Sequence, residues 1–172
     1  MDFEYKYVLI NPQIYNYNDN PKPYKYGITH HSRSNQYAFV ECAYVLFNDY
    51  EIIKSHGFLL KNSLPSIIKN NLNKKTGIST ELEDYHAKNL LYCVNILTDI
   101  LKKNYAKVII INYKAFYNIM LTELHLTQNI YLKNLIARLN ELNIIEIDKI
   151  EHPVYIAITD CINVAKMLMQ KC

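Results

Sequence analysis

The run Val108-Ile109-Ile110-Ile111 constrains this chain more than any other feature. It is too short for a helix, entirely β-branched, and bounded by the polar residues Lys107 and Asn112. A strand apolar on both sides must be covered on both faces, so it belongs inside a sheet sandwiched by helices. The downstream residues fit that demand. Helical spacing over Lys114–His125 and Asn129–Leu142 leads into a second apolar run, Ile144–Ile147, and then a closing helix over Ala157–Met169. Strands joined through helices return parallel, by right-handed crossovers.

The first part of the chain reads differently. Tyr5–Ile10 is a first strand, and Asn11–Gln36 a long polar connection containing Pro12, Pro21, Pro23 and Gly27. Tyr37–Phe47 is rich in β-branched and aromatic residues. Asn48-Asp49 then supplies a turn and Glu51–Leu60 returns, the pattern of a β-hairpin. A short helix over Pro65–Leu72 and a turn at Lys75-Thr76-Gly77 come next. Thr80 and Glu83 have capping-box spacing. Leu82, Leu90, Val94, Leu97 and Leu101 extend the helical period, so one amphipathic helix is predicted from Thr80 to Lys103. Together these elements predict an α/β fold: a five-stranded mixed sheet, with a three-strand antiparallel meander plus two parallel strands, flanked by helices. A single domain over residues 1–172 is expected.

Composition excludes several classes. Half of the 172 residues are hydrophobic and 20% are charged, a globular balance. No apolar run approaches the ~20 residues of a membrane span. Met1-Asp2-Phe3-Glu4 lacks the basic flank and apolar stretch of a signal peptide, so an intracellular location, cytoplasmic or nuclear, is expected. Cys42, Cys93, Cys161 and Cys172 form no Cys-x-x-Cys pair; free thiols are expected rather than a zinc site or a disulfide framework. A net charge of +3 does not by itself indicate nucleic-acid binding. Abundant Asn, Ile, Lys and Tyr, with three Gly and no Trp, match AT-rich codons, as in a large DNA virus, a low-GC bacterium or a parasite.

Short motifs occur in a consistent order along almost the whole chain. Tyr7–Gln13 has the form of a strand leading into an Asp-x-Glu motif, with Asn11 and Gln13 at the acidic positions. Phe39–Leu46 matches a second strand written "iiEig-v", and Glu51-Ile52-Ile53 with Phe58-Leu59-Leu60 a third. Thr76-Gly77-Ile78-Ser79 matches a "TGIT" turn. Val108–Asn112 followed by Ala115-Phe116 matches a strand ending in Asn with an Asp a few residues on. Asp160-Cys161-Ile162-Asn163-Val164-Ala165 matches "DDCxNIA". In these pieces the chain resembles the ribonuclease H-like 3′–5′ exonucleases of the DEDD superfamily, in the branch whose third motif carries His.

The resemblance implies a site of four carboxylates holding two divalent cations that activate water, with a His as general base. This chain departs from it. Asn11 and Gln13 replace Asp and Glu, Phe116 (or Tyr117 with one residue of slack) replaces the second-motif Asp, and Tyr155 replaces the His; Asp160 alone keeps the family's residue type. Magnesium demands hard, charged oxygen ligands, which neutral amides are not. The expectation is a degenerate, catalytically inactive exonuclease-like protein without cofactor or metal, acting as a nucleic-acid-binding or protein-interaction scaffold, as in a viral replication or transcription complex. The alternative is an active Mg- or Mn-dependent 3′–5′ exonuclease with an atypical site.

Candidate contacts to single-stranded nucleic acid are Asn112 and the loop residues Tyr15, Tyr17, Lys22, Tyr24, Lys25, Tyr26 and Arg33, which combine stacking rings with cations. The default for these residues is a solvated loop, and for Asn112 the satisfaction of nearby backbone groups. His152 near the lost base, the pair His30-His31, and the cluster Lys69, Lys74, Lys75 are read as surface residues. Asp160 has a structural explanation too, at the positive end of a helix dipole.

Overall fold

Side chains alternate across a strand, and here the alternation divides the sheet between two cores. The computed structural model describes residues 5–16, 37–61, 69–70, 73–74, 76–149 and 157–170. In chain order the elements are β1 (Tyr7–Asn16), β2 (Tyr37–Phe47), β3 (Ile52–Leu59), α1 (Thr80–His86), α2 (Leu90–Leu101), β4 (Lys107–Ile111), α3 (Tyr113–Thr127), α4 (Ile130–Glu141), β5 (Ile144–Ile147) and α5 (Ala157–Gln170). The sheet order is β3-β2-β1-β4-β5. β1, β2 and β3 form the antiparallel meander, and β1/β4 and β4/β5 are parallel. This is the mixed sheet expected from the sequence.

The run Val108–Ile111 is 4% exposed or less throughout and serves both faces. Val108 and Ile110, with Val8 and Ile10, pack against Val94 and Leu97 of α2, Phe116 and Met120 of α3, and Leu132 and Leu135 of α4. Ile109 and Ile111, with Leu9, Val45 and Phe47, pack against Ala157, Cys161 and Ala165 of α5. Three helices therefore cover one face, and α5 covers the other. The hairpin turn is tied by Asn48, whose Oδ1 accepts the N–H groups of Tyr50 and Glu51 at 2.8 and 2.9 Å. Cys42, Cys93 and Cys161 are buried free thiols. Among the described residues no helix is long and apolar enough to cross a membrane.

Three expectations are corrected. β1 does not end at Ile10 but continues through Asn11, Pro12 and Gln13 to Asn16, paired with β2 throughout. β4 accompanies it only as far as Ile10, so Pro12 breaks no ladder on that side. The predicted helix from Thr80 to Lys103 is two helices. Between them Lys88 lends its backbone to the β3 region, donating to Leu59 O at 2.8 Å and accepting from Lys61 N at 2.9 Å. Asn89 then restarts the helix by accepting the N–H of Tyr92 at 2.9 Å. The cap of α1 also shifts: the Ser79 hydroxyl accepts from Leu82 N at 3.1 Å, and Thr80 is the first helical residue. Of the expected helix over Pro65–Leu72, only Lys69 and Asn70 are described, and both are helical.

Candidate functional site

Because β1 continues past Ile10, its alternation carries Leu9, Asn11 and Gln13 to the α5 side of the sheet. Register places Gln13 opposite Glu41 and Asn11 opposite Ala43 on β2. Ala43 in turn faces Gly57 on β3. These two small residues let the start of α5 approach closely: a β-carbon at Gly57 would stand 3.1 Å from Ile158 Cβ and 3.6 Å from Ala43 Cβ. The first turn of α5, which carries Asp160, is thereby pressed onto three polar side chains of the sheet, Asn11, Gln13 and Glu41, and all four residues are 5% exposed or less.

Their hydrogen bonds converge on that turn. Asn11 Nδ2 donates to Ala157 O at 3.0 Å, and Ala157 N donates to Glu41 Oε1 at 3.2 Å. One peptide residue is thus held on both its polar groups. Gln13 Nε2 donates to Asp160 Oδ2 across a long 3.5 Å, and Cys161 Sγ approaches Leu9 O at the same distance. Asp160 sits in the first turn of α5, where the helix dipole favours a negative charge. Glu41 Oε2 is enclosed and has no hydrogen-bond partner. Burial, with the Asp160 charge adding to it, pushes the Glu41 carboxyl up to about 7 against the opposing pull of the Ala157 N–H. The Cys161 thiol is raised by burial first and by Asp160 second, which suits packing rather than nucleophilic chemistry.

Two divalent cations do not fit this donor set. Among the described residues no group of three or more His, Cys, Asp or Glu is placed to hold a metal. Glu41 and Asp160 are the carboxylates of the cluster, and one Glu41 oxygen already accepts a backbone N–H. Asn11 and Gln13 present amide N–H groups to their partners, and these repel a cation.

The structure brings Asn11, Gln13 and Asp160 together at the first turn of α5, without Phe116. Phe116 is fully buried in the core on the α2–α4 side, with its ring edge-on to Phe39 at 5.9 Å. Asn112 ends β4 in a left-handed conformation, φ 55°, and makes no side-chain capping bond. Its backbone N–H donates to Ile147 O at 2.7 Å. Tyr15 belongs to β1 rather than to a loop; it is half-buried, with Lys149 5.9 Å from its ring centre. Its hydroxyl pKa is raised by burial and then by Glu41 and Asp160, so Tyr15 borders the cluster. Lys69 and Lys74 are described; Tyr155, His152, His30, His31, Tyr17, Lys22, Tyr24, Lys25, Tyr26, Arg33 and Lys75 lie outside the described residues. Glu41 was missed as a site residue. Its signal was a lone acid inside the apolar strand Tyr37–Phe47, read only as part of a strand motif.

Strand order, the meander with parallel extensions, and a last helix packed on β1 and β2 define an exonuclease-like, ribonuclease H-like fold. The chain is similar in fold to a solved full-length 3′-exonuclease, with 14% identity, 96% of this chain and 81% of that chain covered, and a TM-score of 0.50. It also aligns with the zinc-bound form of an E. coli ExoI–ssDNA complex, at 12% identity and a TM-score of 0.49, covering 83% of this chain and 28% of that one. No protein-family model and no curated protein sequence matches the chain.

Proposed function

We propose that this chain is a catalytically inactive exonuclease-like domain that serves as a scaffold, binding a protein partner through surfaces outside the former catalytic site. One observation carries the reading: Asn11 and Gln13, where the resemblance places two metal-binding acids, lie with Glu41 beneath the first turn of α5, which carries Asp160, and all three are hydrogen-bonded to it. Asn11, Gln13, Glu41 and Asp160 are each 5% exposed or less. A phosphodiester would have to displace the first turn of α5 and then face two carboxylates without cations between them, which costs rather than gains energy. The domain suits a subunit of a replication or transcription assembly, viral or otherwise, that keeps an exonuclease fold for its shape.

The test is incubation of the purified protein with 3′-labelled single-stranded DNA and RNA in Mg²⁺ or Mn²⁺. No terminal nucleotide release is expected, and Asp160→Ala should leave that baseline unchanged. Metal-dependent release abolished by Asp160→Ala would overturn the proposal in favour of an atypical active exonuclease. Fluorescence anisotropy with the same oligonucleotides decides the ligand class. Little binding is expected. Tight binding that weakens steeply with salt, and is lost on changing Tyr24, Lys25, Tyr26 and Arg33, would overturn the protein-scaffold assignment in favour of a single-strand binder.

A further inference from the structure

We propose that Asn11 and Gln13 are a built-in substitute for bound cations: their amide N–H groups fasten α5 to the sheet, making the docking of that helix independent of metal. The proposal rests on the reading of the site as non-catalytic and explains what the replaced residues do there.

The argument is one of donors and acceptors. Asn11 faces the carbonyl oxygen of Ala157 at 3.0 Å, and Gln13 faces a carboxylate oxygen of Asp160 at 3.5 Å. Both partners only accept, so both contacts require a hydrogen on the β1 side. An amide provides one; an ionised carboxylate does not. Asp in place of Asn11 would set a charged oxygen against the Ala157 carbonyl. Glu in place of Gln13 would set two carboxylates side by side, with Glu41 as a third. Such an arrangement holds only with cations or protons between the oxygens. The amides remove that requirement while preserving side-chain shape. They sit 1% and 5% exposed, where each hydrogen bond counts because a buried acceptor left without a donor carries its full desolvation penalty. Glu41 completes the fastening from the acceptor side through the Ala157 N–H.

The experiment is amide hydrogen exchange over residues 157–170 of the full chain, in EDTA and in Mg²⁺ or Mn²⁺. Wild-type protection should be the same in all three. The variant Asn11→Asp/Gln13→Glu should exchange about tenfold faster or more in EDTA, the scale of one lost charged hydrogen bond. Mn²⁺ should restore its protection. Gln13→Glu alone should loosen α5, and adding Asp160→Asn should tighten it again, because donor and acceptor are then exchanged. Should the double variant not fold in EDTA, Asn11→Leu, uncharged and of similar size, is expected to show the faster exchange instead.

The proposal is overturned if the double variant, or Asn11→Leu, keeps wild-type protection in EDTA. It is also overturned if Mn²⁺ leaves the double variant loose, or if wild-type α5 tightens with metal. Nucleotide release by the wild-type protein would sink the functional reading by itself, since the EDTA exchange data do not depend on turnover.

Discussion

Glu41 accepts the Ala157 N–H through Oε1 at 3.2 Å while its second oxygen, equally enclosed, has no partner. The ionised form is therefore poorly served, and the carboxyl pKa rises from 4.5 to about 7, through burial first and Asp160 second. The folded protein then holds a proton that the unfolded chain releases between those two values. Stability from this group is fully present below 4.5 and is lost as pH rises through about 7. The loss is on the order of 3 kcal/mol at most. Glu41→Gln keeps an acceptor for Ala157 and removes the titration. In urea unfolding it should match wild type near about pH 4 and exceed it near about pH 8. A wild type that grows more stable across this interval, with no difference from the variant, would contradict the assignment.

Gly57 marks how closely α5 lies on the sheet. A methyl group there would come within 3.1 Å of Ile158 Cβ, close enough that the helix must shift by a few tenths of an ångström. Gly57→Ala should cost about 1 kcal/mol, and Gly57→Val about 1–3 kcal/mol through overpacking. The same variants should speed amide exchange in α5 more than in α2, which packs on the opposite face. Uniform effects on both helices would show that Gly57 acts through its backbone instead.

Phe116 stands where the resemblance places a metal-binding Asp, yet it fills the core on the α2–α4 side, against Phe39. Phe116→Ala should destabilise the protein by about 3–5 kcal/mol. Phe116→Asp should do worse, because it buries an unpaired charge as well. Thermal unfolding of both variants checks the order. A soluble Phe116→Asp protein of near wild-type stability would mean that the ring is dispensable there.

The parts legible in the sequence are those fixed by local pattern. The run Val108–Ile111 and the turn at Asn48-Asp49 each place an element, and β2 and β5 have their predicted limits. The end of β1 was not legible, because Asn11, Pro12 and Gln13 have the composition of a loop. They remain in a strand because β2 pairs with them and α5 takes up the two amides, partners that are distant in sequence. The break after His86 was hidden for a related reason. Leu82 and Leu90 keep helical spacing across it, while the bonds that open the helix come from Leu59 and Lys61. In the site, Asn11, Gln13 and Asp160 followed from motif order. Glu41 did not: a motif reading looks for the carboxylates a family keeps, whereas register and burial give Glu41 its place.

Asn112 offers the clearest separation of shape from contact. Its φ of 55° and ψ of 42° are left-handed, a conformation that costs most residues about 1–2 kcal/mol and Asn less. The turn matters because the Asn112 N–H reaches Ile147 O at 2.7 Å and its C=O accepts from Phe116 N at 3.2 Å. Glu146 then accepts the next free amide of α3, Lys114 N, at 2.7 Å. Residue 112 therefore joins β4, β5 and α3 through its backbone, and its side chain makes no capping bond. Asn112→Gly should keep stability within about 1 kcal/mol, since left-handed freedom offsets the added chain entropy. Asn112→Val should lose about 2 kcal/mol or more, because a β-branched residue resists that conformation. If Asn112 were instead kept for a nucleic-acid contact, Asn112→Gly would fold normally and lose oligonucleotide affinity in the anisotropy assay. Unchanged, weak binding by a stable Asn112→Gly protein is the expected result, and it assigns this Asn to the backbone it bends.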